Sequence, residues 1–133
     1  MPKKYFTIEQ ANRLLPLIEQ EINELKRIQQ EFDEKWQTYH QVKEETTNQV
    51  KTDSDTLFKL EAQLEFIEME AQLHVQNIQQ TGAQLKGIEP GLVDFPSFME
   101  RSEVLLCWRE GEDEIAFYHH PKEGYAGRRP LDL

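Results

Sequence analysis

The side chains best suited to chemistry lie in the last third of the chain, around two adjacent histidines. His119 and His120 suggest a metal site, but neighbouring side chains of a strand point to opposite faces, so only one of them could bind a given ion. Carboxylate oxygens of Asp94, Glu112 or Glu114 could join His119 as further ligands. A divalent metal is therefore a candidate cofactor. The alternative is an accidental grouping, since a few acids and a histidine are expected to occur together in a chain this rich in acids.

Two other features of this region could also carry chemistry. In the segment GYAGRRP, residues 124–130, Arg128 and Arg129 follow a glycine-rich turn and could bind a carboxylate or phosphate; the alternative is that they pair with surface acids. Cys107 is the single cysteine, and its mid-strand position favours a buried thiol over a nucleophile. The sequence lacks a phosphate-binding loop, a nucleophile elbow and a dinucleotide-binding motif, so it indicates no particular reaction.

The element predicted to position these groups is a β-hairpin. The β-prone runs 104–109 and 114–119 flank the four-residue loop 110–113. A loop of that length would place Cys107 opposite Ala116. The face predicted to pack on the helices then carries Val104, Leu106, Trp108, Ile115, Phe117 and His119.

The sequence pattern of the first two thirds of the chain predicts a long antiparallel helical hairpin over residues 7–82. Thr7 and Gln10 have the spacing of a capping box, which places a helix start there. Apolar residues then recur every three or four positions, as in a coiled coil. Pro16 interrupts this first arm and is expected either to kink it or to break it in two.

The chain is predicted to reverse within the polar stretch 44–55 and to return as a second helix that ends near Gly82, a residue suited to a left-handed helix stop. The residues able to cap the start of this second helix are Asp53, Ser54 and Asp55.

The second arm is predicted to be apolar on two opposite faces, although the first arm can cover only one of them. The uncovered stripe contains Phe58, Ala62, Phe66, Met69 and Leu73. Either the C-terminal segment folds back over this stripe or a second copy of the chain covers it. The stripe is roughly 22 Å long, which favours the second copy. The interface candidates are therefore Phe58, Phe66, Met69 and Leu73.

Length and composition limit the class of protein. A chain of 133 residues suits a single domain, with the helical hairpin followed by a small antiparallel β module over 83–133, so the fold class is α+β and mostly α. A net charge of −10 argues against nucleic acid as a partner. The sequence contains neither a membrane-spanning window nor a signal peptide, and its single cysteine suits a reducing compartment, so a cytoplasmic protein is expected.

Four segments resemble a known family: FTIEQANRLLPLI at 6–18, GLVDFP at 91–96, LCWREGEDEIAFYH at 106–119 and GYAGRRP at 124–130. Together they resemble the uncharacterised prokaryotic family called domain of unknown function 2203. The resemblance implies a bacterial cytoplasmic protein and no known activity. The residues on which it focuses attention are Asp94, Trp108, Glu112, Glu114, His119, Gly127 and Arg128.

Two functional hypotheses follow. The leading one is a small interaction or scaffold protein that pairs through the helical hairpin as a homodimer, or that binds another helical protein. The alternative is an enzyme or a module for a small ligand or metal, with its site in the C-terminal β segment.

Overall fold

The computed structural model describes residues 3–47 and 54–132. These residues form two α-helices, α1 (Ile8–Thr47) and α2 (Ser54–Gln79), followed by a five-stranded antiparallel sheet. The strands are β1 (Gln84–Ile88), β2 (Gly91–Met99), β3 (Ser102–Arg109), β4 (Phe117–His119) and β5 (Arg129–Pro130). The fold is therefore α+β and mostly α, as the sequence predicted.

Helix α1 begins at the predicted capping box. The backbone N–H of Thr7 donates to Gln10 Oε1 at 3.0 Å, and the N–H of Gln10 donates to Thr7 Oγ1 at 3.1 Å. These two bonds satisfy donors that the first turn of a helix leaves free. Pro16 lies inside α1, which runs on to Thr47. The proline therefore does not break the first arm into two helices.

The two helices form an antiparallel hairpin, because residues early in α1 meet residues late in α2. His74 Nδ1 lies 2.5 Å from Glu21 Oε2, and near the other end the Tyr39 hydroxyl donates to Glu61 Oε1 at 2.9 Å. The buried seam between the helices includes Leu25, Ile28, Leu60, Leu64 and Ile67. Neither helix is long and apolar enough to cross a membrane.

The structure describes only part of the reversal between α1 and α2, and it describes the far end of α2 in full. Because α1 ends at Thr47 and α2 begins at Ser54, most of the predicted reversal over 44–55, including the cap candidate Asp53, lies outside the described residues. At the far end of α2, Gly82 adopts a φ of 97°, the left-handed conformation predicted for the helix stop.

The second apolar stripe of α2 is exposed. Its four large side chains have exposed fractions of 71% for Phe58, 66% for Phe66, 67% for Met69 and 61% for Leu73. Within the described part of the chain, the C-terminal segment packs on the sheet instead and leaves this stripe uncovered. The sequence prediction of a helix that is apolar on two faces is confirmed.

The sheet packs one face, the inner face, against the start of α1 and the end of α2. The strands follow one another in sequence order from β1 to β5. The resulting core is formed by Ala11, Leu15, Ile18, Ile22, Ile78, Val93, Phe95, Leu106, Trp108 and Ile115. The opposite, outer face of the sheet therefore carries the alternate residues of each strand.

The predicted register between β3 and β4 is wrong by one residue. Cys107 lies opposite Phe117, and Leu105 lies opposite His119. A shift of one residue turns every side chain of a strand to the other face, so Phe117 and His119 lie on the outer face and not in the core. The core positions predicted for Val104, Leu106, Trp108 and Ile115 are confirmed.

The cause of this shift is a loop longer than the predicted four residues. Strand β4 starts only at Phe117, because the preceding residues make contacts outside the hairpin. Ile115 is buried in the core, and its backbone N–H donates to Asn12 Oδ1 of α1 at 2.6 Å. The carbonyl oxygen of Ala116 accepts from the N–H of Leu131 at 2.9 Å.

Candidate functional site

Three ionisable side chains meet on the outer face of the sheet, one from each of three neighbouring strands. Asp94 of β2 lies opposite Cys107 of β3, and His119 of β4 lies beside them. All three are buried, with exposed fractions of 4% for Asp94 and 3% for His119. One carboxylate oxygen, Sγ and one ring nitrogen lie within 4.8 Å of one another. We call these residues the outer-face triad.

Hydrogen bonds orient the His119 ring. Its Nδ1 lies 2.9 Å from the carbonyl oxygen of His120, and its Nε2 lies 3.0 Å from Asp94 Oδ2. Because a carbonyl oxygen can only accept, Nδ1 must carry a hydrogen. The partner of the second ring nitrogen is the Asp94 carboxylate. Both ring nitrogens are therefore engaged within the protein.

The Cys107 thiol is protonated at neutral pH. Burial, followed by the negative charge of Asp94, raises the pKa of Cys107 to about 12. The nucleophilic form of cysteine is the thiolate, so Cys107 is unsuited to attack a substrate in this state. This agrees with the sequence expectation of a buried and unreactive thiol.

The triad forms part of the wall of a cavity of about 320 Å³. The sheet contributes apolar side chains to this cavity, and the segment after β4 closes its other side. The remaining lining residues are Lys86, Leu92, Leu105, Pro121, Glu123, Gly124 and Tyr125. A mostly apolar cleft with a few convergent polar groups is the usual form of a small-ligand site.

An ion pair holds the C-terminal segment over this face. Arg128 Nη2 donates to both carboxylate oxygens of Glu112 at 2.7 Å, and the guanidinium lies 4.0 Å from the Phe117 ring centroid and 4.8 Å from that of Tyr125. Such contacts combine charge pairing with cation–π attraction. Tyr125 belongs to the cavity lining, so the pair of Glu112 and Arg128 holds in place a segment that forms part of the cavity wall.

The other residues predicted for the site lie away from the triad. Trp108 is fully buried on the inner face, where its Nε1–H donates to the carbonyl oxygen of Glu112 at 2.9 Å. Glu114 is exposed in the loop before β4. The structure thus brings Asp94 and His119 together. Of the three carboxylates that the sequence offered as oxygen partners of His119, it is Asp94, and neither Glu112 nor Glu114, that contacts the ring.

Sequence reasoning did not include Cys107 in the site. The missed signal was the hairpin of β2 and β3, whose two-residue turn at Glu100 and Arg101 places Asp94 directly opposite Cys107. Both turn residues have positive φ, 49° and 73°, a conformation usually indicated by Asn-Gly. Because neither is asparagine or glycine, the usual sequence mark of this turn was missing.

Comparison with known proteins supplies a family and no activity. No curated protein and no solved structure matches the chain. Residues 4–131 match the family model described as "Uncharacterized conserved protein (DUF2203)". That match spans both helices and all five strands, including the outer-face triad. The chain therefore belongs to the DUF2203 family, as the four sequence segments had indicated.

Proposed function

We propose that this protein binds a small ligand in the cavity beside the outer-face triad. The observation that carries this proposal is the gathering of Asp94, Cys107 and His119, three buried polar groups from three strands, at the wall of one cavity. Buried ionisable groups that converge on a cleft mark candidate binding sites. The free thiol suits a reducing compartment, so we also propose a cytoplasmic setting.

Stability alone does not account for the triad. Burying a polar group costs free energy unless hydrogen bonds compensate, and apolar residues of similar volume often serve stability as well or better. The inner face of the same strands shows this alternative, with Val93, Phe95 and Leu106 fully buried. Because the Cys107 thiol is protonated and both nitrogens of His119 are engaged, the site favours ligand binding over nucleophilic attack by these residues.

A thermal-shift screen over divalent metals, phosphates, nucleotides and carboxylates tests this proposal. A ligand present at a hundred times its dissociation constant is expected to raise the melting temperature by roughly 10 °C. Asp94→Asn should remove this rise, whereas Glu114→Gln, at an exposed acid outside the cavity, should retain it. Each shift is measured against the same variant without ligand. A broad panel that stabilises none of these proteins would contradict the proposal.

A second candidate function is self-association through the exposed stripe of α2. Its four large side chains expose on the order of 500 Å² per copy. Two copies facing each other would bury roughly the 1,000 Å² that a specific interface requires. Ala62, in the middle of the stripe, has a small side chain and would let two helices approach closely. We therefore propose a second copy of this chain as the occupant.

The charges beside the stripe predict how this association depends on salt. At 100° per residue, Glu61, Glu65 and Glu68 follow one edge of the stripe. Pairing two copies brings these acids near one another, and salt screens their repulsion. Added salt should therefore strengthen the dimer, unlike an interface that depends on opposite charges.

Light scattering after size exclusion tests the dimer. The wild-type chain is expected to show about twice its mass of 15.8 kDa, with the dimer favoured at higher salt. Phe66→Glu should give a monomer, because it places a charge in the centre of the apolar contact. Leu17→Glu, at an exposed apolar residue of α1, is the matched control and should remain dimeric. A wild-type monomer at every concentration and salt would exclude this function.

A further inference from the structure

We propose that the outer-face triad binds a zinc-type transition metal ion through a carboxylate oxygen of Asp94, Sγ of Cys107 and Nε2 of His119. The fourth coordination position would face the cavity. This inference rests on the proposed function, since it names the ligand class of the same site.

The spacing of the three atoms suits a tetrahedral ion. Bonds of about 2.0 to 2.3 Å at tetrahedral angles put neighbouring ligand atoms roughly 3.3 to 3.8 Å apart. In the protein, His119 Nε2 and Asp94 Oδ2 are 3.0 Å apart. One ring nitrogen of His119, Sγ of Cys107 and one carboxylate oxygen of Asp94 lie within 4.8 Å of one another. Small side-chain rotations would therefore suffice to form the site.

The His119 ring already has the orientation of a metal ligand. A histidine that binds through Nε2 commonly donates its Nδ1–H to a carboxylate or a backbone carbonyl, which sets the tautomer and the direction of the ring. In this chain the Nδ1 partner is the carbonyl oxygen of His120, at 2.9 Å. That bond can persist when an ion lies between Nε2 and Asp94.

The donor set selects the class of metal. Thiolate and imidazole prefer zinc and related transition ions, whereas magnesium and calcium prefer oxygen ligands. Charge also suits a divalent ion. The Cys107 thiolate and the Asp94 carboxylate would together carry two negative charges, which a divalent ion neutralises.

Three protein ligands leave one position for an exogenous group. Structural zinc sites usually have four protein ligands, whereas open sites have three and a water or substrate. Lys86, Glu123 and Tyr125 line the same cavity as the triad. A small molecule bound to the ion would therefore meet a cation, an anion and an aromatic ring of this chain.

Titration of the chelator-treated full chain with Co²⁺ tests the inference. We expect one ion per chain, the strong visible absorption of a tetrahedral site and a near-ultraviolet charge-transfer band from the Cys107 sulfur. Zn²⁺ should displace Co²⁺ and abolish both. Cys107→Ser should remove the charge-transfer band, and His119→Ala should weaken binding at least a hundred-fold. His40→Ala, at an exposed histidine of α1, is the control and should bind as the wild type does.

The wild-type spectrum decides the question even if a variant fails to fold. A wild-type chain that shows no charge-transfer band, or that binds Co²⁺ without a defined stoichiometry, overturns the inference. If such a chain is nonetheless stabilised by an organic ligand, and Asp94→Asn removes that effect, the metal inference fails while the proposed ligand site stands. If neither metal nor organic ligand binds, both fail.

Discussion

Replacing Trp108 with alanine is expected to lower the free energy of unfolding by about 3–5 kcal/mol. The side chain is fully buried between the sheet and the helices, so its loss removes apolar contacts and leaves a cavity. It also removes the hydrogen bond from Nε1 to the carbonyl oxygen of Glu112, in the loop that leads to β4. Urea denaturation followed by circular dichroism measures the change.

Trp36→Ala is the matched control for this substitution. Trp36 lies in α1 with 45% of its surface exposed, stacked between Phe32 and Tyr39. Its removal should cost no more than about 1 kcal/mol, because most of what it loses is aromatic contact at the surface. If Trp108→Ala does not fold, Trp108→Phe should fold with a smaller loss. Equal losses for Trp36→Ala and Trp108→Ala would contradict the assignment of Trp108 to the core.

Breaking the pair of Asp94 and His119 is expected to have the second large effect. Alanine at either position leaves the other group buried without its partner, which costs about 3–5 kcal/mol. Removing both groups should cost about 2–3 kcal/mol less than the sum of the single losses, because no partner is then left unpaired. The double-mutant cycle gives this coupling by urea denaturation with chelator present, so that no metal contributes.

The exposed pair of Glu9 and Arg13 supplies the control cycle. Its side chains are 76% and 71% exposed, so the coupling should not exceed about 0.5 kcal/mol. A coupling near that value for Asp94 and His119 would show that their bond contributes little. The buried contact between Asp94 and His119 would then stabilise the fold less than its burial and its distance of 3.0 Å indicate.

The helical part of the fold could be predicted because it depends on short-range patterns. The capping box needs only Thr7 and Gln10, and the left-handed stop needs only Gly82. The two-sided character of α2 follows from the 3.6-residue period of the helix. Each of these features depends on residues close together in the sequence. The sequence alone was therefore sufficient to predict them.

The sheet was harder to predict because strand register depends on the loops between strands. The loop before β4 is held by Asn12, 103 residues away from Ile115 in the sequence. No local pattern around residues 110–116 indicates that contact. The shift of one residue placed His119 on the outer face. It therefore placed His119 beside Asp94 and Cys107.

The sequence by itself determined the helical hairpin, the second apolar stripe on α2 and the naming of Asp94 as a possible partner of His119. Only the tertiary structure decided that Cys107 joins them and that Glu112 pairs with Arg128. The physical reason is the range of the forces involved. Helix period and capping act over a few residues, whereas the triad requires three strands in register. The turn between β2 and β3 aligns Asp94 with Cys107, and the loop before β4, which contacts the distant helix α1, places His119 beside them.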